Sequence, residues 1–146
     1  MTSSTGTGTR TFTDAELRYL RTQRLGRLAT VAPDGTLQNN PVGYHVNADG
    51  TIDIRGYSMA TSRKFRNVAA NPNVALVIDD IASLDPWTVR GIEIRGKAEA
   101  LDDAGGAPRP GLSPAVIRIH PRRILSWGVD PDAKGMARRT VGGPTG

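Results

Sequence analysis

Hydrophobic and polar residues alternate along much of this chain, which is the pattern of β-strands that place one face in a core. The longest example runs from Trp87 to Leu101, where Ile92 and Ile94 alternate with charged neighbours. Shorter strand-like segments, separated by turn residues, cover positions 27–31, 36–46, 51–55 and 115–127. The run 74–78 is apolar throughout, which is typical of a strand covered on both faces. These six segments predict a mostly antiparallel sheet.

Two helices interrupt this pattern. The first is predicted to begin at Thr13, where Glu16 completes a capping box, and to run to about Arg24, with Gly26 ending it. The second covers 62–71 and carries apolar residues on one face. Six strands with two helices predict a mainly β fold, a small antiparallel β-barrel with helices at its ends.

One domain fits a chain of 146 residues. The Ser/Thr/Gly-rich segment 1–10 is expected to be a disordered tail, and 11–130 to form the barrel. The segment 131–146 has no apolar period and is expected to be a C-terminal tail or arm. Pro41 within a strand predicts an edge position or a bulge. The pair Asp79-Asp80 is interpreted as the end of a strand that runs into a loop.

Charge and composition narrow the function. The chain carries 19 basic and 14 acidic residues, a formal net charge of +5, and no cysteine. Disulfide and thiolate chemistry are therefore excluded. Aromatic residues make up only 5% of the chain, too few for the stacking platforms of strand-type nucleic-acid readers. An acidic small molecule is the favoured ligand, and nucleic-acid binding through the basic segment 118–139 ranks last.

No apolar stretch approaches the length of a membrane span, and the N-terminus lacks the apolar run of a signal peptide. A soluble, cytoplasmic protein with no membrane partner is therefore expected.

The start of the second helix is the strongest candidate site. A helix N-terminus offers unpaired N–H groups and the positive end of the helix dipole, which suit a phosphate. Hydroxyl and cationic side chains gather at this point: Thr61, Ser62, Arg63 and Lys64. A strand-end Arg55 followed by Gly56 would let a flat ligand approach the backbone. The alternative is an N-capped surface helix with solvated cations.

Amides in the middle of a strand form a second candidate. Asn39 and Asn40 precede Pro41, and Asn is depleted in strands. Their side chains either bind the edge of a heteroaromatic ligand or cap their own backbone at a bulge. His45 and His120 are too isolated to indicate a metal site.

No residue stands out as an obligatory acid or nucleophile. If the protein is an enzyme, a cofactor is expected to carry the reaction, and no protein side chain is assigned as catalytic.

The order and spacing of six segments resemble a known family. The segments are GRLATVAPDG (26–35), PVGY (41–44), TSRKFRNV (61–68), NPNVA (71–75), VRGIEIRG (89–96) and IHPRRILSWG (119–128). From about Phe12 to Asp130 the chain resembles the flavin and deazaflavin oxidoreductases of the pyridoxamine 5'-phosphate oxidase-like split β-barrel superfamily. Within it, the chain is most similar to the branch that uses the deazaflavin coenzyme F-420.

The resemblance implies a six-stranded, FMN-binding-like split β-barrel and a homodimer with two cofactor sites at the subunit interface. It places the cofactor phosphate against Ser62, Arg63 and Lys64. It places the tricyclic ring along the strands. It also implies that residues near Trp127 come to each site from the second subunit. The residues implied along the ring are Asn40, Pro41, Val42, Arg55, Gly56 and Tyr57. From the residues alone, Trp127 is interpreted as a side chain that packs in the core or in a dimer interface.

The first hypothesis is a reductase that passes hydride from reduced F-420 to a conjugated acceptor: an enone, a quinone or a tetrapyrrole. The basic excess suits F-420, whose phosphate and oligoglutamate tail are strongly anionic. An FMN-dependent oxidoreductase of the same fold is the alternative, and a non-catalytic flavin or deazaflavin binder is the third. Pyridoxal-phosphate synthesis is disfavoured because the C-terminal substrate signature of that enzyme is absent.

Overall fold

The computed structural model describes residues 10–105 and 110–142. The expected tail residues 1–9 lie outside the described residues, as do 106–109 and 143–146. The helices are Asp14–Thr22 (α1) and Arg63–Ala70 (α2), and a 3-10 turn, Met59–Thr61, precedes α2. The strands are Leu25–Val31 (β1), Leu37–Gly43 (β2), His45–Val46 (β3), Ile52–Ile54 (β4), Asn73–Leu84 (β5), Trp87–Leu101 (β6), Val116–Trp127 (β7) and Met136–Thr140 (β8).

All strands belong to one antiparallel sheet in the order β2-β1-β5-β6-β7-β4-β3. Strand β4 pairs with the first part of β7, and β8 pairs with its last part, so two short strands share one edge of the long strand. The sheet curls into a half-barrel with two helices, which confirms the predicted antiparallel barrel architecture.

The described residues form eight strands rather than the six expected. The segment 36–46 divides at Tyr44 because the chain changes partner there: β2 pairs with β1, and β3 pairs with β4. The hydroxyl of Tyr44 donates to the carbonyl oxygen of Leu20 at 2.6 Å, which holds the corner against α1. Strand β8 lies in the segment expected to be a tail or arm. Its side chains are mostly exposed. The sequence of β8 therefore has no alternation of apolar and polar residues from which a strand could be predicted.

The core lies on the concave face of the sheet. Alternate residues of the long strands are fully buried there, among them Leu76 and Ile78 of β5 and Ile92 and Ile94 of β6. Both helices add side chains to the same core, including Leu20 of α1 and others from α2. The alternation predicted for Trp87–Leu101 is confirmed, and the strand has those bounds.

The N-terminal capping box is confirmed. The Thr13 side chain accepts the N–H of Glu16, and the Glu16 carboxylate accepts the N–H of Thr13. The expected end of the helix is wrong, because α1 ends at Thr22 and Gly26 lies inside β1. A Cβ on Gly26 would come within 2.9 Å of a Leu76 methyl group. Close packing between strands, and not a helix cap, therefore requires this glycine.

Two expectations for β5 are also wrong. The strand does not end at Asp79-Asp80 but continues to Leu84. The two carboxylates pair with arginines on either side, Asp79 with Arg27 and Asp80 with Arg90. The apolar run 74–78 is not covered on both faces within this chain, because its burial alternates and Val77 is only half-buried.

No helix in the described part of the chain is long and apolar enough to cross a membrane.

Candidate functional site

The start of α2 is built as the sequence predicts. Ser62 is the N-cap, and its Oγ accepts the N–H of Phe65 at 3.3 Å. The hydroxyl protons are already used locally: Ser62 donates to the carbonyl oxygen of Met59 at 2.7 Å, and Thr61 donates to that of Ser58 at 3.2 Å. These hydroxyls thus shape the turn into α2, and the charge offered to a ligand here comes from the neighbouring cations.

Those cations are Arg63, which is exposed, and Lys64, which is half-buried. Neither forms an ion pair with any described residue. The pKa of Asp34 is lowered by the N–H of Thr36 and, to a lesser extent, by Arg63. The start of α2 therefore lies beside the β1–β2 turn that contains Asp34.

Arg55 contributes the most unusual group of the site. It follows β4 and is half-buried, and its Nη2 donates to the carbonyl oxygen of Gly105 at 3.0 Å. Its Nη1 is buried and has no hydrogen-bond partner among residues 10–105 and 110–142. A buried donor without a partner costs about 1–3 kcal/mol. An anion that accepts from this nitrogen would remove that cost.

Gly56 and Tyr57 continue the same segment. The carbonyl oxygen of Gly56 accepts the N–H of Ser113 at 3.0 Å, which ties the segment to the loop before β7. Among the residues that the structure describes, a Cβ on Gly56 would meet only the Met59 methyl group, at 3.7 Å. The space above this backbone is therefore open, as a close approach by a flat ligand requires. The ring of Tyr57 is 65% exposed beside it.

Strand β2 places its three candidate residues differently. It forms one edge of the sheet, which confirms the edge position predicted from Pro41. Asn40 is half-buried and Pro41 is exposed, whereas the side chain of Val42 is 6% exposed and packs in the core. Only the backbone of Val42 is therefore able to contact a ligand on the outer face.

A buried amide that the sequence reasoning missed fixes α2 to these strands. Asn67 is 2% exposed, and its Nδ2 donates to Thr30 Oγ1 at 3.0 Å and to Gln38 Oε1 at 3.2 Å. These contacts join α2 to β1 and β2. The signal in the sequence is an amide next to the apolar residues Phe65 and Val68 on a short helix.

Trp127 is not brought to this group within one chain. It ends β7, while Arg55 follows β4, whose Ile54 pairs with Ile117 near the start of that 12-residue strand. The separation along the strand is on the order of 30 Å. The indole lies across Gly91, where a Cβ would come within 2.6 Å of Trp127 Cζ2. Trp127 is thus half-buried on the outer wall of the sheet.

The outer wall also carries a shallow groove of about 420 Å³. Its floor is formed by small and branched apolar residues of β1, β2 and β5: Ala29, Val31, Leu37 and Ala75. The rim is basic, with Arg95, Lys97 and Arg122. Leu37 is 74% exposed in the single chain, which is unusual for a leucine beside other apolar groups.

The described residues contain no group of three or more potential metal-binding side chains. The buried carboxylate of Asp53 is instead held by Arg118 in a two-point ion pair, at 2.8 and 3.0 Å. Burial alone would raise the pKa of Asp53, but the Arg118 guanidinium keeps it below its usual value. Burial raises the pKa of Tyr44 to about 12. Neither group is suited to give up a proton near neutral pH.

The fold is a curled antiparallel half-barrel, and basic residues lie after β4 and at the start of α2. The sequence model of the pyridoxamine 5'-phosphate oxidase family matches residues 12–128, and the chain belongs to this family.

A 5a,11a-dehydrotetracycline/5a,11a-dehydrooxytetracycline reductase of Streptomyces rimosus subsp. rimosus is 49% identical over 122 residues, covering 83% of this chain and 86% of the relative. Among solved structures, a conserved hypothetical protein of Mycobacterium tuberculosis has a TM-score of 0.63 at 24% identity, covering 86% of this chain and 89% of the other. An F-420 reductase has a TM-score of 0.55 at 25% identity, covering 70% and 89%. The expectation of an oxidoreductase enzyme is confirmed at that level.

Proposed function

We propose that this protein is an F-420-dependent reductase that delivers hydride to a conjugated, multi-ring acceptor. Three observations support the proposal: the unpaired guanidinium nitrogen of Arg55, the similarity to a reductase of dehydrotetracyclines, and the structural similarity to an F-420 reductase. The similarity to the dehydrotetracycline reductase carries the reductase proposal, and the Arg55 nitrogen supports an anionic ligand at this chain's own residues.

The residues present fit an anionic cofactor. Arg55, Arg63 and Lys64, which we call the cationic group, lie at the end of β4 and the start of α2. Phosphate oxygens accept strong charge-assisted hydrogen bonds from guanidinium and ammonium groups. The net charge of +5 favours approach of a polyanion over that of a singly phosphorylated ligand. We assign the phosphate to the cationic group and the ring to the open backbone at Gly56 and the outer face of β2.

A reduced deazaflavin supplies hydride when bound. The protein's part is to orient it and the acceptor at reacting distance and to exclude water between them. The acceptor gains the hydride at one end of its conjugated double bond. It gains a proton at the other end or at the conjugated carbonyl oxygen, so that it is reduced by two electrons. Because Tyr44 and Asp53 hold their proton states near neutral pH, we assign the proton to solvent.

The acceptor class follows from the relative. An enzyme that reduces 5a,11a-dehydrotetracycline acts on a conjugated ring system next to carbonyl groups. Among the enone, quinone and tetrapyrrole acceptors considered from the sequence, we therefore favour a multi-ring enone.

We also propose a homodimer that meets through the outer wall. The apolar groove with Ala29, Leu37 and Ala75 is open in a single chain, and a second copy would bury it. In such a dimer, Trp127 of one copy could contact the cofactor site of the other copy. Within a single chain, Trp127 lies too far from Arg55 to do so. A soluble, cytoplasmic location stays a prediction.

Titration of the purified protein with F-420 and, separately, with FMN tests the cofactor assignment. We expect tight F-420 binding that Lys64→Ala weakens, with Lys134→Ala as a matched control in an exposed turn. Tight FMN binding without measurable F-420 affinity would establish the alternative cofactor. Binding of either cofactor without turnover of any enone, quinone or tetrapyrrole would leave a non-catalytic binder.

A further inference from the structure

A second cavity lies at the α1 end of the barrel, away from the cationic group. It has a volume of about 610 Å³, within the range of roughly 300–1,000 Å³ that is usual for small-molecule sites. Its walls are the segment before α1, one face of α1, and the corner where β2 passes into β3. Its lining includes Leu17, Arg21, Tyr44, Val46 and Ala48. We call this cavity the α1 cleft.

One side of the α1 cleft is apolar and held in place. Leu17, Tyr44 and Val46 are half-buried and pack against the core. The Tyr44 hydroxyl donates to the carbonyl oxygen of Leu20 at 2.6 Å and lies 3.1 Å from that of Gln23. The ring of Tyr44 therefore cannot swing away without breaking these contacts. A fixed apolar wall of this kind suits a rigid ring system.

The α1 wall of the cleft also carries a positive charge, one helical turn beyond Leu17. Arg21 lies in the last turn of α1, and its side chain has no hydrogen bond or ion pair with the residues that the structure describes. The lining carboxylate of Asp49 is already used, since it accepts from the N–H and the hydroxyl of Thr51 at 2.9 and 2.6 Å. A ligand with an anionic edge would therefore be attracted to the Arg21 side.

The cleft continues directly from the strand assigned to the ring. Residue 43 separates Val42 of β2 from Tyr44 of the cleft, so Pro41 and Tyr44 are about 10 Å apart along the strand. The acceptor has to contact the cofactor ring for hydride transfer. A ligand of several fused rings is long enough to extend from this corner toward β2.

We propose that the α1 cleft binds the acceptor, and that the acceptor is a rigid multi-ring compound with an anionic, oxygen-rich edge. The role of the cleft as an acceptor site rests on the proposed reductase function. Binding of the multi-ring compound to the cleft is testable without the cofactor. The fused rings lie against Leu17, Tyr44 and Val46, and the anionic edge faces Arg21.

The competing occupant is the chain's own segment 1–9, because Arg10, the residue that follows it, lines the cleft. Residues 1–9 consist of Thr, Ser and Gly apart from Met1. Such a segment has almost no apolar surface to cover Leu17 and Val46, and it has no acidic side chain to pair with Arg21. The chemistry of the cleft therefore favours a small anionic ligand.

Tetracycline is the probe for the experiment, because it is a stable four-ring compound with an ionised oxygen-rich edge. Its binding to the full chain is measured by fluorescence titration. Arg21→Glu reverses the charge in the cleft, and Ala48→Trp fills it from an exposed turn. Arg18→Glu is the control, since it makes the same charge change on an exposed position of α1 that does not line the cleft.

We expect Arg21→Glu to weaken tetracycline binding at least tenfold and Ala48→Trp to abolish it, with Arg18→Glu within twofold of the unchanged chain. F-420 affinity should be the same in all four proteins. Equal binding of tetracycline by all four, or none by the unchanged chain, would overturn the proposal. Binding that appears only after removal of residues 1–9 would assign the cleft to the N-terminal segment instead. If none of the four proteins binds F-420, the proposed F-420-dependent reductase function is refuted. The tetracycline titrations would still show whether the cleft binds a multi-ring anion.

Discussion

Replacing Arg55 by methionine separates a ligand-binding role from a structural one. Methionine keeps most of the aliphatic length and removes the guanidinium. In the protein without cofactor, the substitution removes the buried unpaired Nη1, which costs about 1–3 kcal/mol, and also the Nη2 hydrogen bond to Gly105, which contributes about 0.5–1.5 kcal/mol. The two changes oppose each other, so the effect on the free energy of unfolding should lie between a loss of about 0.5 and a gain of about 2.5 kcal/mol.

Cofactor binding should respond differently. A hydrogen bond from a charged donor contributes about 1.5–3 kcal/mol, which corresponds to roughly a 10- to 150-fold increase in the Kd for F-420. Calorimetric titration measures that Kd, and urea unfolding without cofactor measures stability. An unchanged Kd in a folded Arg55→Met variant would refute the assignment of Nη1 to the ligand. A loss of stability well above 2 kcal/mol would show that Arg55 acts mainly through the fold.

Three further predictions concern charges and polar groups at other positions. Lys64→Ala should raise the Kd for F-420 by a similar 10- to 150-fold if the ammonium contacts phosphate, whereas thermal stability should change little. Asn67→Leu should lower the free energy of unfolding by about 1–3 kcal/mol, because Thr30 and Gln38 lose their buried donor. Glu16→Gln should cost on the order of 3 kcal/mol near pH 7, since it breaks the buried pair with Arg139.

The last prediction has a defined pH dependence. Burial would raise the pKa of Glu16, but Arg139, the Thr13 N–H and Ser126 together lower it below its usual value. A carboxyl whose pKa is lowered on folding stabilises the fold above its unfolded pKa, about 4.3, and loses that contribution as the pH falls through the folded value. The stability difference between the unchanged chain and Glu16→Gln should therefore shrink below about pH 4. A difference that stays constant down to pH 3 would contradict the ionised pair.

Controls for the other two variants are available in the chain. Lys134→Ala should leave F-420 affinity within twofold, so an equal loss in both lysine variants would indicate a general charge effect. Asn67→Leu is informative only if it stays folded at 25 °C, and a cost below about 0.5 kcal/mol would show that the amide network is not the anchor of α2.

The elements with strong local signals were determined by the sequence alone. The capping box at Thr13 and Glu16 and the alternating strand Trp87–Leu101 follow from a few neighbouring residues, because capping geometry and side-chain alternation are local properties. The clustering of cations at the start of α2 was visible for the same reason. Pro41 limited its strand to an edge position or a bulge, and the order of the sheet places it at the edge.

Only the tertiary structure decided which distant groups meet. Gly26 looked like a helix cap, but Leu76 of a neighbouring strand is what excludes a side chain there. The burial of Arg55 Nη1 without a hydrogen-bond partner depends on which distant groups cover it. The separation of Trp127 from Arg55 depends on the register between β4 and β7. Local patterns carry no record of these contacts, because burial and pairing arise between segments far apart in the chain.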